Sequence, residues 1–321
     1  MLRFILRRLL HTIPLLLGIT FISFIVMQLA PGDYLTQMRL NPQVRPETVD
    51  RLRESFGLDR PWIVQYGLWL KNAVMGNFGY SFAHKMPVFQ LIGQYVAATL
   101  LLALSSLVFA WLVAIPMGVY AATHKNGFID RLTSFLAFAG VSSPGFFVAL
   151  LAMLVAARTG WFPVGGMQSP EYGSFNGWEK FVDVAKHLVL PTLVLGTRQV
   201  ASLMRQMRGN LLDVLGENYI LAARARGLKE RVVIVKHGVR NAINPLITIL
   251  GFEIAGLLGG AALVETVMSW PGLGRLLLAA VLAQDLFVAM GSFVMGGLLL
   301  IAGNLIADVL LAATDPRIKL S

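Results

Sequence analysis

Cysteine is absent from the 321-residue chain, which excludes disulfide bonds and thiolate metal sites but does not fix the compartment. Charged residues are also scarce: they make up 14% of the chain, whereas a soluble domain carries about 25%, so the surface cannot mainly face water. Acidic residues are the rarer kind, with 17 Asp and Glu against 27 Lys and Arg. In a chain this apolar, a net charge of +10 favours basic loops beside anionic lipid over a nucleic-acid partner.

Two kinds of chemical site are missing from the sequence as well. The five histidines show no metal-ligand clustering. The chain also lacks a Gly-x-x-x-x-Gly-Lys-Ser/Thr loop for binding nucleotide phosphates. We therefore expect neither a resident metal nor ATP hydrolysis by this chain itself.

Long hydrophobic runs, in contrast, are plentiful. Hydrophobic residues make up 56% of the chain, and a membrane-spanning helix needs about 20 mostly apolar residues. Six stretches approach this length: Leu9–Ala30, Tyr95–Ala121, Thr133–Ala157, Leu188–Met204, Leu246–Met268 and Leu286–Ala313. The fourth is short and is interrupted by Pro191 and Arg198. We predict an all-α polytopic membrane protein with six transmembrane helices, the first being an uncleaved anchor because no small-x-small cleavage site precedes Pro31.

Lysine and arginine predict the orientation of the chain, since they concentrate in short cytoplasmic loops. Arg3, Arg7 and Arg8 place the N-terminus inside. With six spans, the loops 122–132 and 205–245 and the tail that carries Arg317 and Lys319 also lie inside. The segments on the outside are then 31–94, 158–187 and 269–285.

The outer segment 31–94 contains helical patterns of its own. One begins at Pro46 and stops at Gly57, and another begins at Pro61 and ends at Gly76. We therefore expect an external helical cap rather than a free linker. The resulting division is an N-terminal anchor helix (1–30), an external helical segment (31–94), a transmembrane core (95–313) that includes an inner hairpin (211–245), and a cytoplasmic tail (314–321).

The inner stretch 211–245 predicts two helices separated by a glycine. Gly227 supplies the left-handed residue that ends the first helix, and Pro245 leads into the fifth span. The small side chains of Ala222 and Ala223 leave a flat patch flanked by bulky and basic groups, which suits docking of a rigid hairpin into a groove on a partner. The first helix holds Glu217, Tyr219, Ala222, Ala223 and Arg226, and the second has Val232, Val233 and Val235 on its apolar side.

This hairpin resembles a loop of a known family. Ala222-Ala223-x-x-x-Gly227 is similar to the centre of the loop called EAA in ABC importer permeases. The string from Glu217 to Leu228, followed by His237, Arg240-Asn241 and Pro245, resembles the dipeptide/oligopeptide/nickel branch of this family. The general EAA pattern has Glu where this chain has Leu221, and its Pro lies closer to the Gly than Pro245 does. Both departures are typical of the peptide branch. Further matching segments extend over nearly the whole chain: Leu2–Leu9, Ala30–Asp33, Gly76–Ser81, Leu190–Leu193 and Val264–Arg275.

The resemblance implies a type I ABC importer permease fold with an external helical cap after the first helix, in a bacterial-type inner membrane. As the peptide-type first permease subunit, this chain would form a pathway with a second homologous permease. An external solute-binding protein would deliver di- or oligopeptides, with a nickel chelate or a glutathione-like solute as the alternative cargo. Two cytoplasmic ATPase subunits would bind ATP and magnesium, so no cofactor is expected on this chain. The residues expected to couple ATPase closure to the spans are Glu217, Tyr219, Ala222, Ala223, Arg224, Arg226, Gly227 and Leu228.

Five further residues are candidates for the solute pathway or its gate: Pro144, Arg198, Glu253, Trp270 and Asp308. Charges inside a membrane are costly, so Arg198, Glu253 and Asp308 either face the pathway or pair with each other or with the partner subunit. Pro144 should kink or break the third span, either to line a pathway or as a bend against its neighbours. Trp270 lies in a turn that the resembled family has near its outer gate, or it is an aromatic anchor.

Two other functions compete with a binding-protein-dependent importer. A secondary carrier driven by an ion gradient would need intramembrane carboxylates or broken helices in matching halves, but the acidic residues are sparse and no internal repeat is visible. An intramembrane serine hydrolase could use Ser142 or Ser143 with His187 as base, but neither serine has a Gly-x-Ser-x-Gly setting.

Overall fold

The computed structural model describes residues 2–29, 32–40 and 43–314, and for residues 2–9, 11, 37, 251, 252, 254–261 and 307–314 it describes the backbone alone. The chain divides into two compact units. The first comprises residues 1–99 and 271–301, and the second comprises residues 100–270 and 302–321.

The first unit begins with α1 (Leu2–Leu29), which is followed by three shorter helices, α2 (Tyr34–Arg39), α3 (Pro46–Ser55) and α4 (Trp62–Val74). Pro46 opens α3 in the first turn, where its missing N–H removes no helical hydrogen bond. Gly57 and Gly76 follow α3 and α4 with φ of +65° and +83°, conformations that end a helical run. The structure therefore contains both helices that the sequence predicted between Pro46 and Gly76.

Two elements of this unit have no counterpart in the sequence prediction. An antiparallel hairpin of β1 (Tyr80–Ser81) and β2 (Met86–Pro87) pairs Tyr80 with Pro87 and leads directly into α5 (Val88–Thr123). The predicted outer loop 269–285 contains α13 (Leu273–Leu282), which is followed by α14 (Leu286–Thr314). Strands of two residues show no alternating pattern, and a ten-residue apolar helix is too short to be recognised as a span.

Aromatic side chains dominate the core of the first unit. Phe24 of α1, Trp69 of α4 and Phe287 of α14 are buried. Phe56 and Phe82 pack edge to face with 4.9 Å between their ring centroids, a geometry that aromatic quadrupoles favour. These contacts attach the short helices to α1 and to the start of α14.

The second unit contains the remainder of α5, then α6 (Phe128–Ser142), α7 (Gly145–Thr159), a 3₁₀ turn (Pro170–Ser174) and the 39-residue α8 (Gly177–Leu215). It continues with α9 (Asn218–Ala225), α10 (Glu230–Val232), a π-helix (Val233–Val239), α11 (Arg240–Ala242), α12 (Asn244–Val267) and the end of α14. Asn176 and Glu179 form a reciprocal capping box at the start of α8. Because α8 continues through Pro191, it is longer and more regular than the fourth predicted span.

Small residues bring α5 and α8 close together. A Cβ at Gly118 of α5 would lie 2.8 Å from the backbone oxygen of Met204, and one at Gly196 of α8 would lie 2.4 Å from the Phe109 ring. Any side chain at these positions would therefore separate the two helices, which is the close backbone approach that small residues permit in membrane proteins.

Three helices in the described part of the chain are long and apolar enough to cross a membrane: one includes most of α1, and the others are α5 and α14. The pair α6 and α7 passes the same test jointly, but its two halves are bent by 105° at a short break. The described part of the chain is thus predominantly helical and contains three candidate spans, or four if the bent pair crosses as one. The count of six and the external position of α2–α4 stay predictions.

Candidate functional site

The hairpin after α8 has the helix–glycine–helix form that the sequence predicted. Its first arm is α9, which starts after Glu217 and ends at Arg226. Gly227 adopts φ of +76°, the left-handed conformation expected there, and its N–H donates to the Arg224 carbonyl at 2.9 Å. The return arm (residues 230–242) combines α10, the π-helix and α11, and Pro245 then lies in the first turn of α12.

One side of this hairpin forms a small core of its own. Ile220, Ala223 and Val233 are almost fully buried and pack together with Val214 and Leu215 at the end of α8. Ala223 is therefore a packing residue, whereas its neighbour Ala222 is exposed. The predicted flat patch is accordingly formed by Ala222 without Ala223, because adjacent helical residues point in different directions.

The hairpin also exposes a set of large apolar side chains. These are Tyr219, Leu221, Leu228, Val232 and Val235, which we call the hairpin surface together with Ala222. Apolar groups concentrated on one exposed element and surrounded by polar residues mark a contact surface for a partner or a membrane. The basic residues beside it, Arg224 and Arg226, are also exposed.

Two polar contacts hold the arms of the hairpin together. Arg224 donates from Nη2 and Nε to the two carboxylate oxygens of Glu230 at 2.6 and 3.1 Å. These hydrogen bonds lower the pKa of the Glu230 carboxyl, although the pair is partly exposed and contributes only about 0–1 kcal/mol. At the other end, the Asn241 amide donates to the Tyr219 hydroxyl at 3.2 Å. Both arms are thus joined through their own side chains.

The return arm contains a π-helix of seven residues, an uncommon form that is frequent at functional sites. Gly238 lies within it and is buried against α8. A Cβ at this position would lie 3.0 Å from the Leu211 side chain, so the absence of a side chain lets the return arm pack closely on α8. Nothing in the local sequence predicts the π-helix.

A buried ion pair connects α8 to α6 just before the hairpin. Arg208 donates from Nε and Nη2 to the two carboxylate oxygens of Asp130, at 2.6 and 2.8 Å. Asp130 also accepts the Asn126 backbone N–H, and its side chain is 4% exposed. Sequence reasoning missed this pair; the only signal was a lone acidic residue in the predicted basic loop 122–132.

The predicted pathway residues occupy different environments. Pro144 lies at the break between α6 and α7, as expected of a residue that interrupts a span. Arg198 is exposed on α8 and Glu253 is partly buried on α12, and these two described side chains form no ion pair with each other. Trp270 is fully buried within the chain, which argues against the simple aromatic anchor. The side chain of Asp308 lies outside the described residues.

The Ser143 and His187 side chains of the alternative hydrolase hypothesis have other hydrogen-bond partners. The Ser143 hydroxyl donates to the Ala139 carbonyl, and His187 Nδ1 contacts the Asp183 carbonyl at 2.8 Å. These described side chains form no hydrogen bond with each other. Within the described part of the chain, no three His, Asp or Glu side chains are grouped to hold a metal ion.

Apolar helices of spanning length, a helical unit packed at glycines and a hairpin with exposed apolar side chains are together typical of a multi-pass membrane protein. Comparison with known families shows which family of membrane proteins this is. Residues 114–320 match the family of binding-protein-dependent transport system inner membrane components, and residues 1–103 match the N-terminal family of the same membrane components. The chain belongs to this family.

Several relatives match nearly the whole chain. It is 42% identical to the oligopeptide transport system permease protein AppB of Bacillus subtilis, over 98% of this chain and 99% of the relative. It is 36% identical to the dipeptide transport system permease protein DppB of Alkalihalophilus pseudofirmus, over 99% and 100% of the two chains. The DppB of Escherichia coli is also 36% identical, over 99% of each chain. These matches confirm the family resemblance carried by the hairpin.

Proposed function

We propose that this chain is a permease subunit of an ATP-binding-cassette importer for di- or oligopeptides. Its membership in a binding-protein-dependent transport family and the names of its full-length relatives, oligopeptide and dipeptide permeases, support this cargo. Neither a nickel chelate nor a glutathione-like solute is named by these relatives. In the proposed assembly a second homologous permease completes the pathway, and an external binding protein delivers the peptide.

The single observation that carries the proposal is the hairpin. A short element with its own core, joined arms and an exposed apolar surface can transmit force as a rigid body, because a packed unit does not deform continuously. We infer that the hairpin surface docks into a groove on one of two cytoplasmic ATPase subunits, which bind ATP and magnesium. Closure of the ATPases would then move the hairpin and the helices attached to it.

The remaining features of the proposal follow from composition and charge. Six transmembrane helices, with α8 and α12 supplying the fourth and fifth, would place both termini and the hairpin in the cytoplasm. Helices α2–α4 would then lie outside as a cap. The exposed Arg198 and partly buried Glu253 stay pathway candidates, and unchanged solute affinity and selectivity in Arg198→Ala would remove that role from Arg198.

Gly227 provides a sharp test of the coupling role. Apart from Gly227 and its two chain neighbours, no described residue has an atom within 4 Å of a Cβ placed on Gly227, so a substitution there acts through backbone conformation and not through a clash. A β-branched valine at φ of +76° should cost about 1–2 kcal/mol, whereas asparagine tolerates this conformation. We expect Gly227→Val to reduce ATP-dependent peptide uptake and ATPase co-purification, and Gly227→Asn to retain most of both.

The measurement is peptide uptake into proteoliposomes that contain the complete importer, together with mass spectrometry of the co-purified subunits. Normal uptake and normal ATPase recovery in Gly227→Val would refute a role of the hairpin in coupling. Uptake that persists without ATPase subunits and collapses with an ion gradient would instead support a secondary carrier.

A further inference from the structure

The first unit contains a cavity with uncharged walls. It has a volume of about 410 Å³, within the roughly 300–1,000 Å³ typical of ligand pockets, and lies between α4, the end of α3 and the start of α14. Phe56, Trp69 and Phe287 form its aromatic wall, and no charged side chain is found among the described residues that line it. The part of a ligand that enters this space should therefore be uncharged, with an apolar group against the aromatic wall.

Amide side chains at the edge of this cavity provide hydrogen-bonding groups. Asn77 Oδ1 accepts the Gly79 N–H at 3.0 Å, which leaves the Asn77 NH₂ group available. The Asn72 side chain also lines the cavity and forms no hydrogen bond with any other described residue. Amides with free donors and acceptors match the N–H and C=O groups of a peptide backbone.

A second, smaller cavity of about 140 Å³ adjoins the first. The two share lining residues, namely Leu58, Gln65, Leu286 and Phe287. The smaller cavity is lined by Asp33 and Arg53, which form an ion pair at 2.6 Å. An uncharged space thus adjoins a charged one, and the four shared residues form the wall between them.

Asp33 and Arg53 differ in how many hydrogen-bonding groups remain free for a ligand. Asp33 Oδ1 already accepts the Thr36 N–H at 2.6 Å, and Oδ2 accepts from Arg53 Nη2. The other guanidinium N–H groups of Arg53 form no hydrogen bond with a described residue, and about 38% of the side chain is exposed. A guanidinium with free donors binds carboxylates, so the small cavity favours an added anion over an added cation.

We propose that the two cavities together form a binding site for a short peptide with a free C-terminal carboxylate. The aromatic cavity receives an apolar side chain, Asn72 and Asn77 bind the peptide backbone, and Arg53 binds the carboxylate. The inference rests on the proposed function, since it identifies the bound molecule as the transported peptide. A lipid acyl chain would leave the two amides and Arg53 without partners, and a free anion would leave the aromatic cavity empty.

The test is photocrosslinking to the complete importer in lipid nanodiscs, with the binding protein omitted. The probe is a tripeptide that carries a benzoylphenylalanine side chain and a free C-terminus, and mass spectrometry locates the labelled residues. We expect saturable labelling within residues 53–80 and 286–290. The same probe with a C-terminal amide should label about fivefold less at equal concentration, because it cannot form the charge-assisted contact with Arg53.

Matched variants distinguish the cavity from its surroundings. Asn72→Trp fills the cavity, whereas Lys71→Trp places the same side chain on the neighbouring exposed position, which does not line it. We expect labelling to fall about tenfold in the first variant and to stay near the wild-type value in the second. Ser55→Trp, compared with Glu54→Trp, repeats the test from α3 if Asn72→Trp does not fold.

Several outcomes would overturn the inference. Equal labelling in the cavity-filling and control variants would do so, as would labelling confined to other regions. Preferential labelling by a photoreactive fatty acid would assign the cavity to lipid, and crosslinks from a probe on the binding protein would assign it to that partner. If the importer takes up peptide with its ATPases but the cavity is not labelled, only this inference fails; if no ATPase co-purifies, the proposed function fails.

Discussion

At the scale of single residues, burial decides which charges matter. Asp285 precedes α14 and its side chain is 1% exposed, yet it is not among the residues that the sequence marked. Its Oδ2 accepts the Ser81 hydroxyl at 2.7 Å and the Ala83 N–H at 3.2 Å, which attaches the β1–β2 turn to the start of α14. A carboxylate almost out of contact with water is costly, and these hydrogen bonds offset only part of that cost.

Asp285 therefore predicts a pH dependence of stability. Burial raises the pKa of Asp285, and the hydrogen bonds from Ser81 and Ala83 oppose that rise without cancelling it. The pKa of Asp285 is thus higher in the folded state than in the unfolded state. The contribution of Asp285 to stability is therefore fully present below the unfolded-state pKa and is lost as the pH rises through the folded-state pKa. Asp285→Asn removes the titrating group and keeps an acceptor oxygen. The stability of this variant should therefore fall less than that of the wild type as the pH rises from the unfolded-state pKa through the folded-state pKa.

The measurement is the thermal unfolding midpoint of the purified proteins at pH values from about 4 to about 8, which bracket the carboxyl range. The informative quantity is the difference between wild type and Asp285→Asn at each pH, since all other titrating groups are shared. Parallel pH profiles for the two proteins would contradict the prediction.

At the scale of elements, the hairpin is held at its base as well as within itself. The Asn210 amide of α8 donates to the Ala242 carbonyl of α11 at 3.1 Å, so the end of the return arm is attached to α8. Two residues earlier on α8, Arg208 binds Asp130 of α6. Movement of the hairpin would therefore be transmitted first to α8 and, through this ion pair, to α6.

The Asp130–Arg208 pair should be important for stability. Removing Arg208 leaves the Asp130 carboxylate, whose side chain is only 4% exposed, without its partner, so we expect Arg208→Ala to lower the free energy of unfolding by about 3 kcal/mol. The double variant Asp130→Ala/Arg208→Ala should lose much less than the sum of the single variants, because no charge is left unpaired. Chemical unfolding of the four proteins measures this coupling.

The exposed pair Arg39–Asp50 serves as the control within the same chain. Its atoms are 3.5 Å apart and both side chains are more than half exposed, so Asp50→Ala should change stability by less than about 1 kcal/mol. Additive effects at Asp130 and Arg208 would show that the buried pair does not act as a unit.

At the scale of the whole molecule, the natural absence of cysteine makes the predicted topology directly testable. Lys125→Cys lies in the predicted inner loop, and Val74→Cys lies at the end of α4, where the side chain is 82% exposed. In intact cells, a membrane-impermeant maleimide should label Val74→Cys and should label Lys125→Cys only after the membrane is permeabilised.

The cysteine-free parent chain is the control for nonspecific labelling. Labelling of Lys125→Cys from outside would reverse the predicted orientation. The hairpin would then lie on the wrong side of the membrane for a cytoplasmic ATPase, and the coupling role would fail with it.

Features that depend on neighbouring residues in the sequence were predicted, and features that depend on residues far apart in the sequence were not. The helices between Pro46 and Gly76 and the left-handed Gly227 were predicted because proline and glycine act on their own backbone. The ion pair between Asp130 and Arg208 joins residues 78 positions apart, and the contact of Ser81 with Asp285 joins residues 204 positions apart. Such pairs leave no local pattern in a single sequence.

The sequence by itself determined that this protein is a membrane protein, that it is helical and to which family it belongs. Hydrophobic run length, basic loops and the Ala-Ala-x-x-x-Gly spacing decide these properties, and all three are features of short segments. Tertiary structure alone decided that Ala222 is exposed while Ala223 is buried, that Asp285 is enclosed, and that Asn72 and Arg53 line adjoining cavities. The physical reason is that burial and side-chain contact depend on which distant segments pack together, and only the folded chain brings those segments into contact.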